Sequence, residues 1–206
     1  MQIRVENLET VVDRSSDIER WQAELPTERI ATVEHLILLS SEMKNSSKKL
    51  NSGYRSLLEL FNQHEVEYLV DGAFAFCIHA LPRCTRDIDI WVNPTDANAQ
   101  KVFKSLTEFD AMVHEHGVTS DTFAQEGVSW QQGEVPVIID IFTSTQGVLF
   151  PDAWKNKTTI DLDGTEIHFI SLEDLIMVKR IYNRHFDRVD VETLELARSM
   201  KHKQSS

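Results

Sequence analysis

Asp87 and Asp89 are spaced i, i+2 at the start of an apolar run, Asp87-Ile88-Asp89-Ile90-Trp91-Val92. On an extended strand two such carboxylates project from one face. A third, Asp140, interrupts a second apolar run, Val137-Ile138-Ile139-Asp140-Ile141-Phe142. On a neighbouring strand it would complete an oxygen cage for a hard divalent cation. An unpaired carboxylate buried in such a strand is costly unless a cation or a hydrogen-bond donor meets it. Taken alone, Asp-x-Asp at a strand start is common, and Asp140 has a plain alternative as a strand-end residue that reaches solvent.

Just upstream, Tyr68-Leu69-Val70 reads as a strand, Asp71-Gly72-Ala73 as a tight turn and Phe74 to Ala80 as a short apolar helix. A turn that closes a strand and opens a helix presents backbone N–H groups, and a glycine lets a phosphate approach them. A triphosphate held there needs metal to offset its charge, and the metal needs carboxylates placed opposite the turn. Phosphoryl and nucleotidyl transfers ask for positioning and charge stabilisation more than for covalent chemistry by the protein. With two magnesium ions, one would orient the triphosphate and the other would activate an attacking hydroxyl. Asp140 is the natural ligand, and base, on the hydroxyl side. The charge of Asp71 would oppose a triphosphate unless metal or lysine offsets it.

The order strand, glycine turn, helix, loop and Asp-x-Asp strand resembles the DNA polymerase β-like nucleotidyltransferase superfamily. Gly72-Ala73-Phe74-Ala75, His79, Pro82-Arg83, Thr85 and Asp87-Ile88-Asp89-Ile90 look like its bacterial stand-alone branch. So do Asp140-Ile141-Phe142-Thr143-Ser144, the segment Ile170 to Ile176 with Lys179-Arg180, and Asp187 with Asp190. The resemblance spans about residues 52–197 and departs at Ala73, where the family usually has glycine or serine. It implies an α+β nucleotidyltransferase fold, a twisted mixed sheet with helices mainly on one side. It also implies transfer of a nucleoside monophosphate from an NTP to a hydroxyl, with Mg2+ or Mn2+. Asp87, Asp89 and Asp140 would then hold metal and act in catalysis, while Gly72, Ala73, Arg83, Thr85, Arg86 and Lys179 would contact the nucleotide. Small antibiotics, a tRNA end and a protein side chain all serve as acceptors within the superfamily, and the sequence leaves the acceptor open. The alternative is a fold that has lost turnover and serves as a binding or regulatory module, which Ala73 and Asp71 favour. A metal-dependent phosphohydrolase is weaker, because a histidine-rich metal shell is missing from the pattern.

The elements that must position these groups follow from periodicity. Tyr54, Leu57, Leu58 and Phe61 mark an amphipathic helix before the Tyr68 strand. Pro94-Thr95 starts a helix with Ala99, Val102, Phe103 and Leu106 inward. Residues 110 to 134 read as strands and loops that include Val128-Ser129-Trp130. Asp163-Gly164 between Thr158 to Leu162 and Glu166 to Ile170 is a hairpin signal. Ser171 with Asp174 signals a capped helix, and a last helix follows Asp187. Residues 1–20 are weakly patterned, and Thr27 opens a helix running to about Met43. The domain reading is thus a helical arm over 1–48, a nucleotidyltransferase-fold domain over 49–200 and a polar tail over 201–206. The arm offers a homodimer or partner-protein contact, since a lone amphipathic helix must bury its face somewhere.

Among the remaining groups, Lys179, Arg180 and Arg184 fit equally a triphosphate contact or complements to a helix dipole. Asp187 and Asp190 either orient those bases or cap the last helix. His114 and His116 lack a third metal ligand, and His79 reads as a packed helix-end residue. The net charge of −12, from 21 basic and 33 acidic residues, argues against nonspecific adhesion to nucleic acid or anionic membranes. It mildly favours a small-molecule or protein acceptor over long RNA. Cys77 and Cys84 are too few for a disulfide framework, and no stretch reaches membrane-spanning length, so a cytoplasmic protein is expected.

Overall fold

A computed structural model of the chain describes residues 15–24, 52–83, 85, 87–111, 113, 117–134, 137–162 and 164–204. The expected helix over 27–43, Cys84, Arg86, His114 and His116 lie outside these residues. The frame is a six-stranded sheet of β1 (Tyr68–Val70), β2 (Asp87–Val92), β3 (Ser129–Glu134), β4 (Val137–Phe142), β5 (Thr158–Leu162) and β6 (Thr165–Phe169), in the order β3-β4-β2-β1-β6-β5. It is mixed: β1 runs parallel to β6 and antiparallel to β2, while β2 and β4 are parallel. Eight helices accompany it among the described residues. These are α1 (Ser15–Ala23), α2 (Ser52–Gln63), α3 (Gly72–His79), α4 (Asp96–Glu108), α5 (Ser120–Phe123), α6 (Phe150–Asn156), α7 (Leu172–Tyr182) and α8 (His185–Gln204). None is long and apolar enough to cross a membrane.

The site-bearing strands owe their place to alternation. Ile88 and Ile90 of β2, with Ile139 and Ile141 of β4, are buried in the core, whereas Asp87, Asp89 and Asp140 are half-buried. Side chains alternate across a strand, so the carboxylates share the opposite face. Asp140 therefore does not interrupt a strand that is apolar on both faces; it belongs to the more open face. At the centre of the sheet, β1 is buried along its whole length. Helix α2 buries Tyr54, Leu57, Leu58 and Phe61, as its period requires, and the Tyr54 hydroxyl accepts a hydrogen bond from the Ile138 N–H at 3.2 Å. Helix α4 starts at Asp96 with Thr95 as its N-cap, so Pro94 lies just outside it. Its Asn98 carboxamide accepts from Glu67 N–H at 2.8 Å and donates to Glu67 and Asn93 carbonyls at 3.0 Å, which ties the helix to the approach to β1.

Several boundaries differ from the sequence expectation. Helix α3 begins at Gly72 rather than Phe74, because Asp71 caps it: its side chain accepts from the Gly72 N–H. The β5–β6 hairpin has the expected two-residue connection, with Leu162 opposite Thr165 and Gly164 at φ +85°, and β6 begins at Thr165, one residue earlier than expected. Helix α8 begins at His185 and runs to Gln204, so Asp187 lies in its first turn and part of the expected tail is helical. Ser171 caps α7 as expected, accepting from Asp174 N–H at 3.1 Å. Asn183 ends α7 in the left-handed conformation, which reverses the chain into α8.

The largest departure is α1, within a stretch that shows little periodicity. Ile18 and Trp21 are buried, and Trp21 Nε1 donates to the Cys77 carbonyl at 2.7 Å. One indole thus couples α1 to α3. Trp21→Ala is expected to destabilise the protein by about 3–5 kcal/mol, read by denaturant titration. Trp21→Phe, which keeps most of the packing, should cost only about 1 kcal/mol for the lost hydrogen bond. Equal, negligible effects would show that α1 is not coupled to the domain.

Candidate active site

The site begins at the end of β1, where Gly72 adopts φ +61°. A Cβ built there would lie 1.8 Å from Asp89 Oδ2, so the Asp89 carboxylate occupies the space that only glycine leaves free. The Asp71 N–H donates to the Asp89 carbonyl at 2.9 Å, closing the turn onto β2. The Asp71 carboxylate accepts from the Gly72 N–H at 2.7 Å. That N–H therefore faces Asp71 rather than open space for a phosphate, and the contribution of Gly72 is shape.

Parallel pairing places Asp89 directly opposite Asp140, and Asp87 opposite Ile138. The three carboxylates line one cleft of about 950 Å³ together with Gly72, Ala73, Arg83, Thr85 and Lys179. Thr85 orients Asp87 by donating to its Oδ1 at 2.6 Å. Gln131, the register partner of Asp140 on β3, and Asp87 are the polar neighbours that act on the Asp140 carboxyl. Burial raises the pKa of Asp140, with Gln131 opposing and Asp87 adding to the rise. Asp89 is pushed up to about 7, first by burial and then by the charges of Asp71, Asp87 and Asp140. Burial likewise raises Asp71, against the Gly72 bond and the charges of Lys179 and Arg184. Anionic charge has been forced together here beyond what the protein itself compensates.

Facing these acids is a wall of cations held by two further aspartates. Lys179, only 6% exposed, donates from Nζ to Asp190 Oδ2 at 2.8 Å and lies 3.5 Å from Asp187 Oδ1. Arg83 also pairs with Asp190, and Arg184 Nε donates to Asp187 Oδ2 at 2.7 Å. Burial alone would raise the Asp187 carboxyl, but the Arg184 bonds and the Lys179 charge hold it below the usual range. Asp187 also accepts from the Arg184 N–H at 3.1 Å, so it both orients bases and caps α8. Arg180 turns away to pair with Glu195 and takes no part. His79 is a packed residue, its Nε2 2.8 Å from the Ile170 carbonyl.

Sequence reasoning missed several cleft residues. Gln131 acquires meaning only from the β3–β4 register. Ser144, Thr145 and Gln146 reach the cleft from the loop after β4, and Tyr182 and Phe186 from the α7–α8 junction. Ser144 closes the segment Asp140-Ile141-Phe142-Thr143-Ser144 that carries the resemblance, and the others belong to no spaced motif. Among the described residues no three His, Cys, Asp or Glu side chains already close around a single ion position. The donor chemistry nonetheless fits a hard cation: three half-buried carboxylates on adjacent strands line one cleft, and burial, with the charges of Asp71, Asp87 and Asp140, raises the Asp89 pKa.

A mixed sheet that carries Asp-x-Asp beside a glycine turn, with a third carboxylate on the adjacent parallel strand, is the arrangement that the resemblance to nucleotidyltransferases implies. Residues 48–203 match the family described as "Nucleotidyltransferase of unknown function (DUF6036)", and the chain belongs to that family. Nucleotidyl transfer is its general class of activity. Among solved structures, the chain is similar to a candidate nucleotidyltransferase from Thermotoga maritima, at 17% identity over 73% of this chain and 91% of that one, with a TM-score of 0.44. It is similar to the lincosamide antibiotic adenylyltransferase LnuA bound to lincomycin, at 16% identity over 72% and 98% of the two chains, TM-score 0.42. A third is ANT(2'')-Ia in complex with adenylyl-2''-tobramycin, at 14% identity over 74% and 89%, TM-score 0.39. No curated protein matches the chain.

Two expectations follow from the crowding. Gly72→Ala must either strain the backbone or displace Asp89, so it should lower Tm, read by thermal denaturation. Asp89→Asn should stabilise the protein. Because the folded-state pKa is raised from 3.8 to about 7, the folded protein binds the Asp89 proton more tightly than the unfolded chain. That contribution is present at low pH and is lost as pH rises through 7. The Tm difference between Asp89→Asn and wild type should therefore be larger at pH 8 than at pH 5, by at least ~2 °C for each kcal/mol recovered. A pH-independent difference would refute the repulsion.

Proposed function

We propose that the chain moves a nucleoside monophosphate from an NTP to a hydroxyl acceptor with Mg2+ or Mn2+. The observation that carries this reading is the convergence of Asp87, Asp89 and Asp140 opposite Lys179 in one cleft. Asp87, held by Thr85, and Asp89, held against Gly72, bind the metal. Lys179, Arg83 and Arg184 face the triphosphate, and the backbone at Ala73 lines its seat. The metal, when bound, neutralises the charge between triphosphate and carboxylates and favours ionisation of the hydroxyl. Asp140 stands on the acceptor side and takes the hydroxyl proton, and its raised pKa suits that task. The acceptor oxygen bonds to the α-phosphorus, the bond to the bridging oxygen breaks, and pyrophosphate leaves. The acidity of the protein favours a small molecule or a protein as acceptor, and a cytoplasmic supply of NTP suits the reaction. Arg86 and the arm over 1–48 remain proposed contacts, to the nucleotide and to a second copy or partner protein.

One observation favours a second reading, a nucleotidyltransferase fold kept for binding or regulation. Asp71 takes the Gly72 N–H, and Ala73 adds no hydroxyl to the turn. Transfer of label from α-labelled NTPs to a cell extract, with wild type and Ala73→Ser, separates the two. An active turn leaves Ala73→Ser within a few-fold of wild type, because one hydroxyl adds about 0.5–1.5 kcal/mol at most. No transfer by either form would favour the binding module.

Calorimetry adds a sharper test. NTP affinity should require the divalent cation, and equal affinity in a chelator would sink the enzyme reading. Asp140→Asn should lower turnover by about 100-fold or more while leaving nucleotide affinity within a few-fold. Asp89→Asn should lower both. Metal-dependent binding by wild type should strengthen as pH rises through about 7, because Asp89 must lose its proton to take the cation.

A further inference from the structure

We infer that the α7–α8 junction is the nucleobase platform of this cleft, with the Phe186 ring as its stacking face and Tyr182 as its back wall. The inference rests on the nucleotidyl-transfer reading and extends it to the heterocycle of the NTP. Among the described residues, the large apolar side chains most open to solvent are Leu149, Met177, Ile181, Tyr182, Phe186 and Val189. Of these, only Tyr182 and Phe186 also line the cleft, and they are 40% and 70% exposed. An aromatic ring left that open within a charged cleft leaves apolar area that a planar ligand would cover.

Position decides which planar ligand. Tyr182 follows Lys179 by one helical turn, and Tyr182 and Phe186 flank Arg184 in sequence. They thus stand on the cationic wall, where the triphosphate belongs, while Asp140 and the neutral Gln131 mark the acceptor end. A nucleotide with its phosphates at Lys179 and Arg184 has its base as the next group along that wall. Tyr182 is held in place: the Thr145 hydroxyl lies 3.5 Å from its own, and the Arg184 guanidinium sits 5.3 Å from its ring centroid. Among the described residues the Phe186 ring meets the ring of His185, T-shaped at 5.6 Å, and its wide exposure leaves ring surface for stacking. Stacking tolerates any base, so this platform grips without selecting strongly among NTPs.

The test compares Mg2+-NTP with Mg2+-tripolyphosphate, which presents the phosphates without a base, by calorimetry on the full chain. Phe186→Ala should weaken NTP binding on the order of ten-fold, leave tripolyphosphate within two-fold, and be rescued by Phe186→Tyr. NTP binding unchanged by Phe186→Ala overturns the inference. If acceptor KM rises instead, the lip belongs to the acceptor; if molecular mass in solution changes instead, it belongs to a second copy. Equal weakening of both ligands also overturns it, since the base would not be what Phe186 holds. If wild-type protein binds tripolyphosphate but NTP no more tightly, the platform alone fails. If it binds neither, the nucleotidyl-transfer reading fails with it.

Discussion

The Asp89 carboxylate sits where a side chain at residue 72 would be, and most of the site follows from that one steric fact. A glycine there lets β1 end and α3 begin without a separating loop, and Asp71 can then cap the helix it immediately precedes. The same closeness brings Asp71 and Asp89 into mutual repulsion, to which Asp87 and Asp140 add from their own strands. Backbone pairing supplies the restraint that electrostatics opposes. The Asp71 N–H to Asp89 carbonyl bond and the β2–β4 register fix where the carboxylates stand, whatever their charge. The site is held together by hydrogen bonds and a hydrophobic core, which keep the carboxylates close despite their mutual repulsion.

The opposite wall solves a related problem. A buried ammonium such as that of Lys179 would destabilise the fold without partners. Asp187 and Asp190 supply them, and because both lie on α8, the last helix becomes part of the site without contributing a cation of its own. Asp190 also reaches Arg83 in the loop before β2, so the network joins α7, α8 and the approach to the Asp-x-Asp strand. Removing either aspartate would leave a cation unpaired, which is why these residues are better understood as positioning groups than as surface charge.

Local pattern carried the sequence reading where local pattern decides the structure. β1, β2 and β4 have the bounds that β-branched runs and alternation imply, and the Asp-Gly hairpin follows from turn chemistry. Asp71 was harder, because an aspartate before a glycine fits both a turn and a helix cap, and the choice depends on where the helix begins. Helix α1 escaped notice because two buried residues, Ile18 and Trp21, give too short a period to detect. Gln131, Thr145 and Phe186 were out of reach for a different reason. Their role exists only in space, through the β3–β4 register, the loop after β4 and the reversal at Asn183. The fate of Lys179 was open in the sequence for the same reason, since helix-dipole partner and buried ion-pair member differ only in how α8 packs.

The charges on the two walls bear directly on the proposed pairing of nucleotide and metal. Arg83, Lys179 and Arg184 carry three positive charges, and Asp187 and Asp190 remove two, which leaves one. Across the cleft, Asp71, Asp87, Asp89 and Asp140 carry up to four negative charges when ionised. A free triphosphate approaching this cleft therefore meets net repulsion, reinforced by a protein whose overall charge is −12. A divalent cation reverses that balance locally, because it is attracted by the carboxylates and the phosphates alike. The sign of the field thus filters what enters. On the proposed function, such a field favours a compact metal–nucleotide complex over a long polyanion, which cannot bring a cation to every phosphate it lays across the acidic surface.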